Sequence, residues 1–206
     1  MLRERNAEAV VASSVVPAKN REIAQAAKGR ELIWLNSKSR LNIRIDYPRP
    51  ETIGADRLAN AVAVTQLYRT PAIVIDFGTA VTFDIVSAER AYIGGVIAPG
   101  LEAMSNFLYD RTALLPRISL REPRSAIGKT TREAMLAGAV FGYRGLVREI
   151  LRRIIAERFA RKCVHIVATG GYASLVAAQL PEVQAVRENL TLEGLRIVGG
   201  MNARKR

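Results

Sequence analysis

The sequence predicts an α/β protein, and three observations carry that prediction. Pro71 to Val86 (PAIVIDFGTAVTFDIV) places an apolar run, Ala72 to Ile75, before Asp76, Gly78 and Thr79, and an alternating run, Val81 to Val86, after them. That is the pattern of a buried strand, a tight glycine turn and a second strand. AYIGGVIAPG then reads as a third strand with a glycine-rich exit. Further on, Leu136, Val140, Tyr143, Val147, Ile150 and Ile154 recur at spacings of three and four, the stripe of one long helix.

Bulk properties narrow the class. A chain of 206 residues can form one large domain or two small ones, with a sizeable core. No apolar run approaches the roughly 18 to 20 residues that span a bilayer, and the mixed-charge start MLRERNAEAVVASSVV lacks the apolar centre of a secretory signal. The lone Cys163 excludes an internal disulfide and fits a reducing cytoplasm. With His165 as the one histidine, a zinc site on these residues is excluded in practice. The net charge of +12 raises a polyanionic partner. Much of it lies in Arg144, Arg148, Arg152, Arg153, Arg158, Arg161 and Lys162 and in the tail ARKR, without the aromatics that stack bases. It reads as a solvated basic helix face rather than a nucleic-acid surface.

In chain order, Val10 to Val16 is a short strand closed by Pro17, Arg21 to Lys28 a helix, and Leu32 to Leu35 a strand. Lys38 to Pro50 is a basic, turn-rich loop kept extended by Pro48 and Pro50. A helix begins near Asp56, with Leu58, Val62 and Thr65 on one stripe, and ends at Thr70-Pro71. The three central strands follow, with Ser87 to Arg90 as a turn. Then come a helix over Leu101 to Tyr109, a proline-bounded loop, and the long helix from GKTTREAM to about Phe159. A strand, Val164 to Ala168, runs into Thr169-Gly170-Gly171 and a helix from Ala173; LTLEGLRIV closes the fold. Three linked strands followed by alternating helix and strand is the plan of a ribonuclease-H-like domain. The preceding strand–helix–strand–helix matches the back half of the same plan. The expected division is a remnant of a first lobe over 1–70, a second lobe over 71–200, and a basic tail over 201–206.

Five element ends carry the polar and glycine clusters where chemistry can sit: Gly54-Ala55-Asp56-Arg57, Asp76-Phe77-Gly78-Thr79, Gly94-Gly95 to Gly100, Gly128-Lys129-Thr130-Thr131, and Thr169-Gly170-Gly171. A carboxylate at a strand end can hold a cation, and a Gly-Thr turn offers backbone N–H groups and a hydroxyl to a phosphate. Each cluster has a purely structural alternative. Asp56 and Thr131 are candidate helix caps, Arg57 a solvated loop charge, Asp76 to Thr79 an ordinary hairpin turn, and Gly170-Gly171 a strand-to-helix turn. Gly128-Lys129-Thr130 is not a Walker loop, because Pro123 stands where that motif needs glycine. His165 reads as a packed core residue within its strand, and nothing marks Cys163 as a nucleophile.

Taken in order, SSVVP, the Tyr47 loop with GADR, DFGTAVTFD, GGVIAPG with TALLP, GKTTREAM, ATGG and LTLEGL resemble the type III pantothenate kinases, of the acetate kinase, sugar kinase, Hsp70 and actin superfamily. The resemblance runs from about Ser13 to Val198. It implies a duplicated ribonuclease-H-like, actin-like ATPase fold and the ATP-dependent phosphorylation of pantothenate to 4'-phosphopantothenate, the first step of coenzyme A synthesis. By position it makes Asp56 the proton acceptor for the primary hydroxyl of pantothenate, a role that asks for a carboxylate within hydrogen-bond reach. It makes Tyr47, Gly54, Ala55 and Arg57 pantothenate-binding residues. Thr131 becomes a further contact from the neighbouring subunit of a homodimer, Thr79 an ATP-phosphate contact, and Asp76 a ligand for potassium or ammonium. Magnesium accompanies the nucleotide, and Gly170 and Gly171 lie against it.

The family opens with a strand and an Asp-x-Gly-Asn-Thr turn that has no counterpart before SSVVP here, so the first lobe is expected to be truncated at its N-terminus. Half of the phosphate clamp would then be missing, and the expectation is that the 206-residue chain has little or no kinase activity. The competing expectation is a non-catalytic accessory protein of the same fold, of the kind described for transcription.

Overall fold

A computed structural model describes residues 8–160 and 162–203. Arg161 and the end of the basic tail, residues 204–206, lie outside the described residues. The chain divides into two compact units, one of residues 1–72, 84–94 and 189–206, the other of residues 73–83 and 95–188.

In the first unit, β1 (Ala9–Ala12) and β2 (Glu31–Trp34) pair in parallel, with Ala9 opposite Glu31 and Ala12 opposite Trp34. The connection contains α1 (Asn20–Ala26), because parallel neighbours need a crossover rather than a tight turn. The strand expected over Val10 to Val16 stops at Ala12: the Ser14 hydroxyl turns the chain by bonding Val16, and Val15 and Val16 are exposed. The loop before Pro50 contains one strand the proline pattern hid, β3 (Arg44–Ile45).

Helix α2 (Ala55–Leu67) is apolar nearly all round and buried from Leu58 to Thr65, as such a helix must be. It packs on α6 (Leu190–Asn202), the C-terminal LTLEGLRIV stretch. Gly194 makes that approach possible, since a Cβ there would collide with the Ala59 backbone. Asn60, fully buried on α2, receives the Thr191 hydroxyl at 2.8 Å.

A six-stranded sheet has the order β3-β6-β5-β4-β7-β8. Its strands β4 (Ala72–Phe77), β5 (Ala80–Val86) and β6 (Ala91–Pro99) are the three read from the sequence. Ala72 to Ile75 are fully buried, which explains their unbroken apolar run. β3 pairs in parallel with the start of β6, and β7 (His165–Thr169) with β8 (Ala185–Val186). His165 opens β7 and is half-buried, at the strand's edge rather than its middle.

The second unit also holds α3 (Leu101–Arg111), α4 (Thr131–Arg158) and α5 (Ala173–Ala177). The α4 stripe holds as read except at one turn, where Leu151 is buried and Ile150 only half so. A spacing of 3.6 residues carries the buried line from Val147 to Leu151. The basic face of α4 needs a sharper correction. Arg144 is not solvated; it is 4% exposed and fork-bonds Glu122 at 2.9 and 2.5 Å. Its other N–H groups reach the carbonyls of Leu175 and Val176 at 2.7 and 3.2 Å. Arg152 and Arg153 are exposed and share Glu149.

Candidate active site

The first cluster is built on the start of α2. A short turn at Pro50–Thr52 ends in extended Ile53, and Gly54 becomes the helix N-cap with no side-chain cap. Asp56 is therefore not the N-cap. It lies one residue inside the helix, where its carboxylate accepts the Arg57 N–H at 2.9 Å and its charge faces the positive end of the helix dipole. Gly54 makes room for it: a Cβ at that position would stand 2.5 Å from Asp56 Oδ1. A cleft of about 510 Å³ opens beside this turn, lined by Ser14, Asn36, Lys38, Thr52, Gly54 and Ala55. Asp56 itself is half-buried.

Arg57 turns toward β5 and β6. Its Nε donates to Asp84 Oδ1 at 2.6 Å, and its guanidinium stands 5.8 Å from the centre of the Tyr92 ring. Asp84 and Tyr92 are fully buried, and the Tyr92 hydroxyl bonds the same Asp84 oxygen at a long 3.4 Å. The Tyr47 ring meets Tyr92 edge-on, 6.2 Å between centres. Tyr47 and Arg57, ten positions apart in the chain, thus rest on one buried tyrosine. Burial opposes the Arg57 charge, but the Asp84 carboxylate more than offsets it and the guanidinium pKa is raised. Burial first, and then the Asp84 charge, push the Tyr92 phenol well above its ordinary value. Ionised tyrosine plays no part near neutral pH.

In the second unit, three of the glycine turns converge. Asp76 is half-buried near the end of β4, and Gly78 and Thr79 form the exposed two-residue link to β5. The Gly100 N–H donates to the Thr79 carbonyl at 3.1 Å, and a side chain at Gly100 would strike that turn's backbone. Gly170 has φ +92°, a left-handed backbone that favours glycine. A Cβ there would lie 2.6 Å from Asp76 Oδ1. The next turn continues along the same strand end, where the Tyr172 N–H donates to Phe77 O at 3.3 Å. The result is a cleft of about 360 Å³ lined by Gly78, Thr79, Glu102, Asn106, Gly171 and Tyr172, with the Tyr172 hydroxyl on Glu102 at 3.0 Å. Backbone donors, a hydroxyl and absent side chains suit such a cleft to a phosphate-bearing ligand.

Thr131 begins α4 and is exposed. The capping alternative does not apply to it. The cap is Thr130, whose hydroxyl accepts the Glu133 N–H while Glu133 reaches back to the N–H of Thr130, a reciprocal capping box. Gly128 lets the loop lie against this first turn, where any side chain would meet the Glu133 and Ala134 backbone.

The fold therefore brings Tyr47, Gly54, Ala55, Asp56 and Arg57 together in one unit, and Asp76, Thr79, Gly170 and Gly171 together in the other. Thr131 is at the head of α4. Asp84 and Tyr92 were not singled out from sequence. The one signal for Asp84 is an acid between Phe83 and Ile85 inside a strand. Among the described residues, no three His, Cys, Asp or Glu side chains gather to hold a metal, and no helix is long and apolar enough to cross a membrane.

Comparison with known proteins shows the family. The family model for "Type III pantothenate kinase" matches residues 1–153. The type III pantothenate kinase of Akkermansia muciniphila is 49% identical over 198 residues, covering 95% of this chain and 79% of the relative. That of Methylacidiphilum infernorum is 47% identical over 192 residues, covering 93% and 70%. A solved Baf family transcriptional activator from Campylobacter jejuni superposes with a TM-score of 0.60 at 19% identity, over 96% of this chain and 84% of that one, which shows a shared α/β fold. With the motifs, the fold and identity at this level in agreement, this chain belongs to the type III pantothenate kinase family.

Proposed function

We propose that this chain transfers the γ-phosphoryl group of ATP to the primary hydroxyl of pantothenate, giving 4'-phosphopantothenate for coenzyme A synthesis in the cytoplasm. In this reading Asp56 orients the hydroxyl and takes its proton as the bond to phosphorus forms. Tyr47, Gly54, Ala55 and Arg57 hold the pantothenate, and Thr131 adds a contact from a second subunit. Thr79 contacts the ATP phosphates. The observation that carries the reading is the pairing of Asp56 and Arg57 on the first turn of α2, one carboxylate beside an open cleft and one guanidinium anchored on Asp84. Phosphoryl transfer needs little more from a protein than positioning and charge stabilisation.

Asp76 would hold a monovalent cation, potassium or ammonium. The carboxylate is half-buried and backed by side-chain-free Gly170. Magnesium would arrive on the phosphates and neutralise their charge, a mode that asks for one or two protein carboxylates at most. The same reading assigns 1–70 and 71–200 to the two lobes of a duplicated ribonuclease-H-like fold. A homodimer is supported by exposed apolar side chains on α3 and α4, among them Met104, Phe107, Leu108 and Phe141.

The test is ATP-dependent phosphorylation of pantothenate, measured with and without potassium, beside calorimetric titration of pantothenate. Binding is expected to survive Asp56→Asn and to weaken on Arg57→Ala. A wild-type chain that does not bind pantothenate would sink the reading.

A further inference from the structure

We infer that Asp84 is a positioning residue for substrate binding, acting through Arg57 and braced by Tyr92. The inference rests on the reading of Arg57 as a pantothenate contact, and it starts from what a guanidinium requires. Arginine carries its charge on a long stem with many accessible rotamers. A binding site gains from having that freedom removed before the ligand arrives. Asp84 does this with a charge-assisted bond of 2.6 Å to Nε. The Nε bond fixes the plane of the fork, and the Tyr92 ring below it limits rotation out of that plane.

Asp84 cannot itself meet a ligand, because it is fully buried. Its charge would be costly there without a partner, and VTFDIV would be a better strand with an apolar residue in its place. The arrangement also reaches the second candidate on this surface. The Tyr92 hydroxyl bonds Asp84, and the Tyr92 ring carries Tyr47 against its edge. One buried carboxylate and one buried phenol thereby set the orientation of two residues, one on the first turn of α2 and one in the loop before it.

The experiment is a titration of pantothenate into wild type, Arg57→Ala, Asp84→Asn and the double variant, with the steady-state KM for pantothenate and for ATP measured on each. Asp84→Asn is expected to weaken pantothenate binding about tenfold, the scale of one charge-assisted hydrogen bond. It should leave the KM for ATP within about twofold, and add less than about twofold when Arg57 is already alanine. A purely structural role would lower the melting temperature without that split between substrates and without that coupling. If Asp84→Asn does not fold, Asp84→Glu keeps the charge and moves it by one methylene, and the same loss of pantothenate affinity is expected. Normal binding by the Asp84 variants while Arg57→Ala binds weakly would overturn the inference alone, as would additive losses in the double variant. Normal binding by Arg57→Ala would overturn the assignment of Arg57 and the inference with it.

Discussion

Arg57 and Asp84, separated by 26 intervening positions, meet at 2.6 Å where a surface helix turn faces a buried strand position. The aspartate is fully buried and the arginine side chain 13% exposed, so water screens the pair little. Removing one member of a buried ion pair costs about 3 to 5 kcal/mol. Substitutions here need thermal denaturation beside every kinetic measurement.

Asp56→Asn keeps the shape of the side chain and removes its basicity. Turnover of pantothenate is expected to fall by about 10²- to 10⁴-fold, the range for loss of a general base. Pantothenate affinity and melting temperature should stay near those of wild type. Unchanged turnover would remove Asp56 from the chemistry.

Gly54→Ala tests the space beside that carboxylate. The backbone at Gly54 (φ −56°, ψ 138°) accepts alanine, so the conflict is with Asp56 Oδ1 alone. The carboxylate must shift, a small cost for a side-chain end but a misplacement of the base. The expected outcome is at least a tenfold loss of kcat, by about the same positioning argument, with a melting temperature close to wild type.

Thr130→Ala and Thr131→Ala, neighbours in sequence, should behave differently. Thr130 carries the capping box, so its loss is expected to destabilise by about 1 kcal/mol, read by urea unfolding. Thr131 is exposed at the first helical position. Its loss should leave stability unchanged and raise the KM for pantothenate. The reverse pattern would exchange their roles.

The Arg144–Glu122 fork ties the 112–130 loop to α4, and it has a pH signature. The hydrogen bonds from Arg144 hold the Glu122 carboxyl below its ordinary value. A carboxylate depressed in the folded state stabilises above the unfolded pKa, and that contribution disappears as pH falls through the folded one. Glu122→Gln should thus lower the melting temperature at pH 7, by an effect of at most about 1 kcal/mol because Glu122 is half-exposed. The difference from wild type should vanish below the usual carboxylate range. Arg144→Ala is the larger lesion, expected to cost about 2 to 4 kcal/mol, since it also removes the donors to the Leu175 and Val176 carbonyls.

The elements that follow local rules were legible in advance. The apolar run before Asp76, the period of α4 and the glycine-rich exit of β6 each record a constraint within a few residues, and β4, α4 and β6 lie where those patterns put them. Two-residue strands leave no such record: β3 and β8 exist because a neighbouring strand offers them hydrogen bonds. Arg144 misled for a related reason. Its helical position was right, but a basic residue reads as solvated until the carboxylate and carbonyls from distant segments are seen around it.

The candidate site divides along the same line. By itself the sequence determined which residue types stand at the ends of the elements, and the order of GADR, DFGTAVTFD, GKTTREAM and ATGG was enough to point to the family. Only the tertiary structure decided what each of them touches. It moved the cap from Thr131 to Thr130, placed Asp56 inside its helix rather than at the cap, set Gly170 against Asp76, and put Asp84 beneath Arg57. Short-range patterns report backbone geometry, whereas the orientation of a charged side chain depends on partners brought together by folding across tens of positions.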